Sequence, residues 1–424
     1  MTSSNALVRG FNPADTANAM QALANAQNPM WQFTRAMFDN PFARFMAPHF
    51  AGTMAGMAAL GERMTRDYKD PGFKIPGLRE EVTLSFPFCD LVHFAHDDGK
   101  VRRPMLVVAP MSGHYASLLR DTIKGLSQDH DVYVTNWRCA SRVSPDHGAF
   151  TLDTYTTYLL HMFRYFEGNV HTMGISQSGV PLLAAIALQS AVNPRFAPKS
   201  MTLMASPIDV TRNPRRMNKL AEQHSLNWYR NNVISMSASG RDVYPGNLQL
   251  MGLNSLDPMH LQSKSRDLFN AAARNDTAAV QRHDADNDDF SAVMDLDAAF
   301  YLQTMQTVFL DHDLPNGKMV HTDTQGLRTP VVPAQIKKTA LFTIEGKIDP
   351  IVGNDQTHAA HDLCSSIPSS KRDRHTIDGA DHYFFRGAPW HALLPRISAF
   401  TASHDAVQKR DHIQLVAPQL APAK

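Results

Sequence analysis

Residues 169–188 constrain the fold more than any other stretch of this 424-residue chain. An apolar strand ends near Met173, the turn Gly-Ile-Ser-Gln-Ser follows at residues 174–178, and a helix rich in Leu, Ala and Ile comes next. A strand-to-helix turn this tight holds its apex side chain in a strained, outward-pointing conformation, and it needs small residues two places before and after the apex. Gly174 and Ser178 are both small, so the pattern predicts Ser176 as the apex.

Two alternatives remain open at this turn. Ser178 is a rival apex, although it would place Val180 at the crowded position that follows. The sequence also departs from the pattern G-x-S-x-G, because Ser178 stands where the last Gly is expected and Gly179 comes one residue later. An ordinary strand-to-helix turn without a catalytic role fits the same residues. The residues downstream favour the functional interpretation.

Composition indicates a globular protein and excludes nucleic acid as a partner. The formal net charge is +1, and Lys and Arg are scattered, so the chain has no basic field for nucleic acid. The three cysteines Cys89, Cys139 and Cys364 lie far apart, which favours a reducing compartment and a core-filling role over a disulfide framework. We recognise no secretory signal and no apolar run of membrane-spanning length, and we therefore expect a cytoplasmic protein without a transmembrane segment.

Strands alternate with helices over much of the chain. This alternation predicts an α/β fold with a mostly parallel, doubly wound sheet, opened by an antiparallel hairpin. The predicted strands are residues 82–86 and 91–94 (the hairpin), 105–109, 131–137, 201–205, 339–344 and 374–377.

The division into regions follows the same pattern. We expect a Met-, Phe- and Ala-rich helical extension over residues 1–66, which Pro29, Pro41 and Pro48 break into short amphipathic helices. These helices are expected to pack on the main domain; the alternative is an adaptable apolar surface for a hydrophobic body. The other predicted regions are a first core segment at 67–208, a largely helical inserted cap at 209–335, a second core segment at 336–401 and a flexible tail at 402–424. The acidic run at 284–289 is interpreted as a solvated face.

A serine nucleophile needs a base, and the base needs an orienting group. In hydrolases with a sheet of this kind, the chain order is nucleophile, acid, histidine. Asp349 follows one predicted strand and His382 follows the next, so both lie in loops at the carboxyl ends of strands. Asp349 alone can be read as a helix cap and His382 as a surface histidine, but the order of all three predicts a triad with Ser176.

Backbone N–H groups are expected to stabilise the oxyanion that such a nucleophile creates. Gln177, at the positive end of the helix after the turn, is the first predicted donor, and Met111 or Ser112 the second. His114 in the same loop is interpreted as a loop-ordering residue rather than a second base. His358 and His361 have a metal-like spacing but no third ligand, so we interpret them as exposed and predict no metal and no cofactor.

Several further stretches resemble the intracellular poly(3-hydroxybutyrate) depolymerase family, and the similarity runs from about residue 64 to 400. They are Tyr-Lys-Asp-Pro-Gly-Phe (68–73), Ala-Pro-Met-Ser-Gly-His (109–114), Val-Tyr-Val-Thr-Asn-Trp (132–137), Ser-Gln-Ser-Gly-Val-Pro (176–181), Pro-Ile-Asp (207–209), Val-Tyr-Pro-Gly (243–246), Glu-Gly-Lys-Ile-Asp (345–349) and Ala-His-Asp-Leu-Cys (360–364). The resemblance implies an α/β-hydrolase that cleaves the esters of a storage polyester on granules and releases 3-hydroxybutyrate or short oligomers.

One departure from the family pattern matters. Well-known members carry Cys-Gln-Pro where this chain has Ser176-Gln-Ser178, so the resemblance gives Ser176 the nucleophile position and Asp349 and His382 the other two. It leaves the acyl acceptor open between water and a thiol such as coenzyme A. A polyester synthase uses a Cys nucleophile, which Ser176 argues against. The alternatives carried forward are a serine esterase for small soluble esters and a non-catalytic granule-coat protein on the same fold.

Overall fold

The computed structural model describes residues 13–66, 69–256 and 258–405. The predicted flexible tail lies outside the described residues from residue 406 onward, as do residues 1–12 of the predicted N-terminal extension. The helices are α1 (Pro13–Phe38), α2 (Pro41–Met46), α3 (Pro48–Thr65), α4 (Arg120–Leu126), α5 (Leu152–Tyr165), α6 (Gly179–Val192), α7 (Arg216–Ala221), α8 (Leu226–Asn232), α9 (Gly246–Leu256), α10 (Pro258–Ala273), α11 (Thr277–Ser291), α12 (Ala298–Thr304), α13 (Ala360–Leu363) and α14 (Gly387–Ser403).

Eight strands form one sheet in the order β1-β2-β4-β3-β5-β6-β12-β13. Five short strands form two smaller sheets, β7-β8-β9 and β10-β11. The strands are β1 (Arg79–Phe86), β2 (Cys89–Ala95), β3 (Arg103–Val108), β4 (His130–Trp137), β5 (His171–Ile175), β6 (Ser200–Met204), β7 (Ser235–Met236), β8 (Asp242–Tyr244), β9 (Leu296–Asp297), β10 (Val320–Thr322), β11 (Arg328–Pro330), β12 (Ala340–Gly346) and β13 (Arg372–Ile377).

The pairing directions confirm the predicted fold class. β1 and β2 form the antiparallel hairpin, and β2 is also antiparallel to β4. The pairs β4–β3, β3–β5, β5–β6, β6–β12 and β12–β13 are all parallel. Such a sheet is covered by helices on both faces, so its central strands are buried along their whole length. Every residue of β5, β6 and β12 is buried. The strand order and directions are those of the α/β-hydrolase fold.

The parallel strands fix the edge at which the predicted functional residues meet. β5, β12 and β13 run in the same direction, so the loops that follow them emerge at one edge of the sheet. Ser176 follows β5, Asp349 follows β12 and His382 follows β13. The loop after β3 emerges at the same edge, beside Ser176, because β3 is the parallel neighbour of β5.

Between β6 and β12 the chain leaves the main sheet. We propose that residues 209–335, which we call the cap, form one inserted unit at the edge of the sheet where Ser176, Asp349 and His382 meet. Helices α7–α12 and the two small sheets lie within this stretch. A buried ion pair between Arg241 and Asp297 (2.7 Å) joins β8 to β9, and Arg241 also donates to the carbonyls of Val143, Ser144 and Gly148. The cap is thereby tied to the loop that follows β4.

The N-terminal helices differ in one respect from the sequence prediction. The breaks at Pro41 and Pro48 are confirmed, because α2 and α3 begin at these residues. The break at Pro29 is wrong, because α1 continues through this proline to Phe38. Asn28, the residue directly before Pro29, donates from its side chain to Glu62 O and Thr65 Oγ1 on α3, which ties this part of α1 to α3. Tertiary contacts therefore outweigh the local cost of the proline.

The acidic run at 284–289 is also less solvated than predicted. It lies in α11, where Asp288 pairs with Arg66 (2.8 Å) and the buried Asp289 pairs with Arg120. The two carboxylates thus link the cap to the end of α3 and to α4. The three cysteines are buried and free, as their predicted core-filling role requires.

Candidate active site

The backbone at Ser176 has the strained geometry that the turn predicts. Ser176 has a φ of +55°, in the left-handed region that residues other than Gly rarely adopt. The residues around it are small because the strand and the helix approach closely. A Cβ on Gly174 would lie 2.9 Å from Leu182 Cδ2, and a Cβ on Gly179 would lie 2.3 Å from Ser206 Oγ. These contacts leave no room for larger residues and present Ser176 at the start of α6.

Ser178, the rival apex, occupies a different environment. Its side chain is fully buried, and its Oγ accepts the N–H of Ile175 at 2.8 Å. The same Oγ lies 2.7 Å from the carbonyl oxygen of Val108 and 2.8 Å from that of Ile175, to which it can donate. Ser178 therefore links the turn to the end of β3 by a hydrogen bond. This bonding explains how a serine replaces the last Gly of the G-x-S-x-G pattern, and the later Gly179 supplies the close contact with Ser206.

Ser176, His382 and Asp349 form one hydrogen-bonded chain. Ser176 Oγ lies 3.1 Å from His382 Nε2, and His382 Nδ1 lies 2.8 Å from Asp349 Oδ2. His382 and Asp349 are buried, whereas Ser176 is half-buried and so reachable from outside. The distances fit a neutral imidazole that accepts from the serine hydroxyl and donates to the carboxylate.

The loop after β12 holds Asp349 in place. Asp349 Oδ1 accepts the N–H groups of Ile351 (2.7 Å) and Val352 (2.9 Å), which leaves Oδ2 for the histidine. Gly346 sits at the end of the strand, where a Cβ would lie 2.5 Å from the carbonyl oxygen of Asp381. The absence of a side chain at Gly346 therefore allows the loop that carries His382 to approach the loop that carries Asp349.

The predicted oxyanion donors lie at the same edge. Gln177 follows Ser176 in the single turn before α6, while Met111 is buried and Ser112 half-buried in the loop after β3. Gly113 in that loop has a φ of +97°, and its carbonyl oxygen accepts the N–H of Met294 in the cap at 2.6 Å. The choice between Met111 and Ser112 stays a prediction.

His114 is a buried residue in the loop after β3. It forms a β-bridge with Val293, and its ring lies 5.1 Å from that of Phe290 on α11. Burial lowers the pKa of His114 to about 4, which keeps its ring neutral near pH 7. Among the described residues, its Nε2 has no hydrogen-bond partner. The bridge fits the predicted loop-ordering role.

The interpretation of His358 and His361 as exposed is wrong, since both are buried. Thr343 Oγ1 on β12 lies 2.7 Å from His358 Nδ1 and 2.9 Å from His361 Nε2. Burial lowers the pKa of both histidines, that of His361 to about 4. The pair packs the chain that follows Asp349 against the sheet. Nowhere in the described ranges do three His, Cys, Asp or Glu side chains cluster as metal ligands would.

A cavity of about 1460 Å³ adjoins His382 and Tyr383. Its walls come from the cap and, unexpectedly, from the N-terminal helices. The contributing side chains are Asn18, Gln21 and Asn25 from α1, Leu60, Arg63 and Met64 from α3, and Leu250, Lys264 and Phe290 from the cap. This participation of α1 and α3 is not predicted from the sequence. The only related signal is the set of small residues Gly52, Gly56 and Ala59 in α3, which allows close packing against α10.

Comparison with protein families bears on the C-terminal part of the chain. Residues 205–405 match the family described as PHB de-polymerase C-terminus. The match begins at Ala205, directly after β6, and includes the cap, Asp349 and His382. Ser176 precedes the matched PHB depolymerase region. No protein of curated function matches the chain in sequence.

Similar solved structures include several lipases. One is a membrane phospholipase A described as a bacterial virulence factor, with 11% identity and a TM-score of 0.45 over 78% of this chain and 88% of that chain. Another is a putative lipase from Acinetobacter baumannii AYE, with 13% identity and a TM-score of 0.44 over 78% and 93% of the two chains. A third is a monoacylglycerol lipase from Paleococcus ferrophilus, with 10% identity and a TM-score of 0.44 over 72% and 96%.

No helix in the described part of the chain is both long and apolar enough to cross a membrane.

Proposed function

We propose that this chain hydrolyses the ester bonds of poly(3-hydroxybutyrate), a storage polyester held in granules, and releases 3-hydroxybutyrate or short oligomers. The observation that carries the proposal is the strained Ser176, whose Oγ lies 3.1 Å from the imidazole of His382. The match of residues 205–405 to the PHB depolymerase family supports ester hydrolysis and favours this polyester as the substrate class.

The acylation step follows from these positions. Ser176 Oγ attacks the carbonyl carbon of the ester while His382 Nε2 takes the hydroxyl proton, which forms a tetrahedral oxyanion. The bond from the carbonyl carbon to the leaving oxygen then breaks, and His382 returns the proton to that oxygen. Asp349 accepts the Nδ1–H of His382 and stabilises the imidazolium that forms between these two transfers.

The deacylation step uses the same groups. A water molecule gives a proton to His382 Nε2 and attacks the carbonyl carbon of the acyl-serine. The bond from that carbon to Ser176 Oγ then breaks, and His382 returns the proton to Oγ, which frees the carboxylic acid and restores Ser176. The backbone N–H of Gln177 and that of Met111 or Ser112 are the proposed oxyanion donors in both steps. A thiol such as coenzyme A is the alternative acceptor, and it would release a thioester instead of the acid.

The decisive experiment compares three proteins on two substrates. Wild type, Ser176→Ala and Ser178→Ala are assayed for 3-hydroxybutyrate release from amorphous poly(3-hydroxybutyrate) granules and for hydrolysis of p-nitrophenyl butyrate. We expect wild type to act on both substrates and Ser176→Ala on neither, because Ser176 faces His382. Ser178→Ala should keep measurable activity on both, at a lower level, because Ser178 orders the turn but does not face His382.

Each departure from this result has a defined meaning. Release by Ser176→Ala equal to that of wild type would refute the nucleophile. Cleavage of the soluble ester without release from granules would leave a serine esterase for small substrates. Granule binding by wild type, with no hydrolysis of either substrate and no labelling of Ser176 by a fluorophosphonate, would favour the non-catalytic coat protein.

A further inference from the structure

The N-terminal helices expose large apolar side chains along their outer face. We define the N-terminal patch as eleven side chains of α1–α3, each exposed to between 48% and 83%: Met20, Leu23, Met30, Phe33, Met37, Phe42, Phe45, Met46, Phe50, Met57 and Met64. Soluble chains expose single apolar residues routinely, but eleven exposed large apolar side chains within three neighbouring helices indicate a surface that contacts something else.

The arrangement of residues in α3 is the reverse of that in a core helix. Most of its buried positions are small residues, such as Ala51, Ala55 and Ala59, whereas Phe50, Met57 and Met64 recur at intervals of seven and face outward. The small residues allow close packing: a Cβ on Gly52 would lie 2.7 Å from the carbonyl oxygen of Ala273 on α10. Leu60 also packs against α10, but the three outward-facing side chains contribute little to the burial of this helix, so its packing does not explain their presence.

The patch carries almost no charge. Residues 13–66 contain four arginines, three carboxylates and no lysine. Arg35 pairs with Glu62 and Asp39, and Arg44 pairs with Asp39 and donates to the carbonyl of Ala272. Binding to an anionic lipid surface uses a face rich in Lys and Arg beside the apolar one. The patch lacks that feature and suits a neutral apolar surface.

The patch is continuous with the cavity at the candidate active site. Met64 is 77% exposed and also lines the cavity that adjoins His382. Asn18, Gln21 and Asn25 of α1 line the same cavity, while Met20 and Leu23 of the same helix face outward. A body seated on the patch would therefore lie beside the cavity, whose wall includes His382.

From these observations we propose that the N-terminal patch docks the enzyme on the surface of the water-insoluble polyester, so that a chain leaving the surface enters the cavity. This inference rests on the proposed function. Met and Phe side chains suit an amorphous surface, because they adapt to irregular apolar contacts. Exposed ester groups need no countercharge, which agrees with the low charge of the patch.

The test separates docking from catalysis. Phe33, Phe42 and Phe45 are replaced together by Gln, which keeps good helix propensity and removes the apolar surface. A second triple variant, Met30→Gln with Met37→Gln and Met57→Gln, changes other members of the same patch. The control triple, Val101→Gln with Val192→Gln and Leu327→Gln, alters side chains of similar exposure (64–75%) outside the patch.

Binding is measured by co-sedimentation with protein-free amorphous poly(3-hydroxybutyrate) granules, with Ser176→Ala added to every protein so that the polymer is not consumed. Both patch variants should bind at least about tenfold more weakly than the control triple, given the apolar area each loses. With Ser176 intact, hydrolysis of p-nitrophenyl butyrate should stay within about twofold of wild type, which also establishes that the variants fold.

The outcomes distinguish this inference from the proposed function. Granule release and binding that are unchanged in both patch variants would overturn the docking surface and leave polyester hydrolysis standing. A wild type that cleaves the soluble ester but neither binds nor degrades granules would overturn the proposed function. Binding of wild type to phosphatidylcholine vesicles but not to granules would make the patch a lipid site. A dimer in sedimentation velocity that the patch variants dissociate, with granule binding intact, would make it a self-association surface.

Discussion

The central sheet and the N-terminal helices use apolar residues in opposite ways. In the sheet, large side chains such as Phe342 and Leu203 are fully buried, and glycines such as Gly346 mark close contacts near the candidate site. In α1–α3, Ala and Gly supply the buried contacts, and Met and Phe face outward. Hydrophobic residues in this chain therefore have two different roles: in the sheet they fix the loops that carry the candidate catalytic residues, and in the N-terminal helices they form the surface for which we propose an external contact.

The largest effect is expected where the sheet positions the candidate catalytic groups. Asp349→Asn should lower kcat for p-nitrophenyl butyrate by about 10⁴-fold, because an amide holds the His382 imidazole in the wrong tautomer. Steady-state kinetics at pH 7 with purified protein provide the measurement. The matched control is Asp378→Asn, in the neighbouring loop, where an exposed carboxylate pairs with Lys347. Equal activity of the two variants would rule out the role of Asp349.

The second prediction compares burial in the two regions directly. Phe342→Ala on β12 should lower the free energy of unfolding by about 3–5 kcal/mol, because it leaves a cavity between packed residues. Phe45→Ala in α2, where the side chain is 83% exposed, should change it by less than about 0.5 kcal/mol. Urea denaturation monitored by circular dichroism gives both values. A loss of several kcal/mol in Phe45→Ala would show that the N-terminal patch stabilises the fold and would weaken the docking proposal.

How far the sequence predicts the structure also differs between these regions. The order Ser176, Asp349, His382 was readable because each residue follows its own apolar strand, and parallel strands bring their carboxyl ends to one edge. The burial of His358 and His361 was not readable, since it depends on Thr343 from β12, whose distance from them is set by the fold. The participation of α1 and α3 in the cavity wall likewise depends on contacts with the distant α10.

The third prediction concerns the loss of folding stability at acid pH, to which the buried His361 beside the sheet contributes. Burial lowers the pKa of His361 to about 4, below its ordinary value of 6.5. Between these two values the unfolded chain binds a proton that the folded chain does not, so folding stability falls as the pH drops from about 6.5 towards 4. This histidine alone should remove about 2 kcal/mol between pH 7 and pH 5.

The measurement for this prediction is the urea midpoint of wild type and His361→Asn at pH 7 and pH 5. Asn is chosen because it retains a side chain that can hydrogen-bond to Thr343. The variant is expected to lose less stability than wild type over this range, whatever its stability at pH 7. The control is His49→Asn in the N-terminal helices, where the side chain is exposed. The same pH response in wild type and His361→Asn would contradict the assignment.

The smallest expected effect tests how closely α3 packs against α10. Gly52→Ala places a methyl group 2.7 Å from the backbone carbonyl oxygen of Ala273, which cannot move aside as a side chain can. We expect the helix to shift away from α10 and its amides to exchange faster with solvent, by about 1 kcal/mol in opening free energy. The control, Gly252→Ala in α9, meets no atom within 4 Å and should gain up to about 1 kcal/mol from helix propensity. Hydrogen exchange read by mass spectrometry over α3 and α10 resolves the two. The small residues of α3 act together with Leu60 and with the polar contacts of Arg44 and Arg66 in holding the patch beside the cavity. If Gly52→Ala left exchange in α3 unchanged, other contacts would have to hold the patch in place.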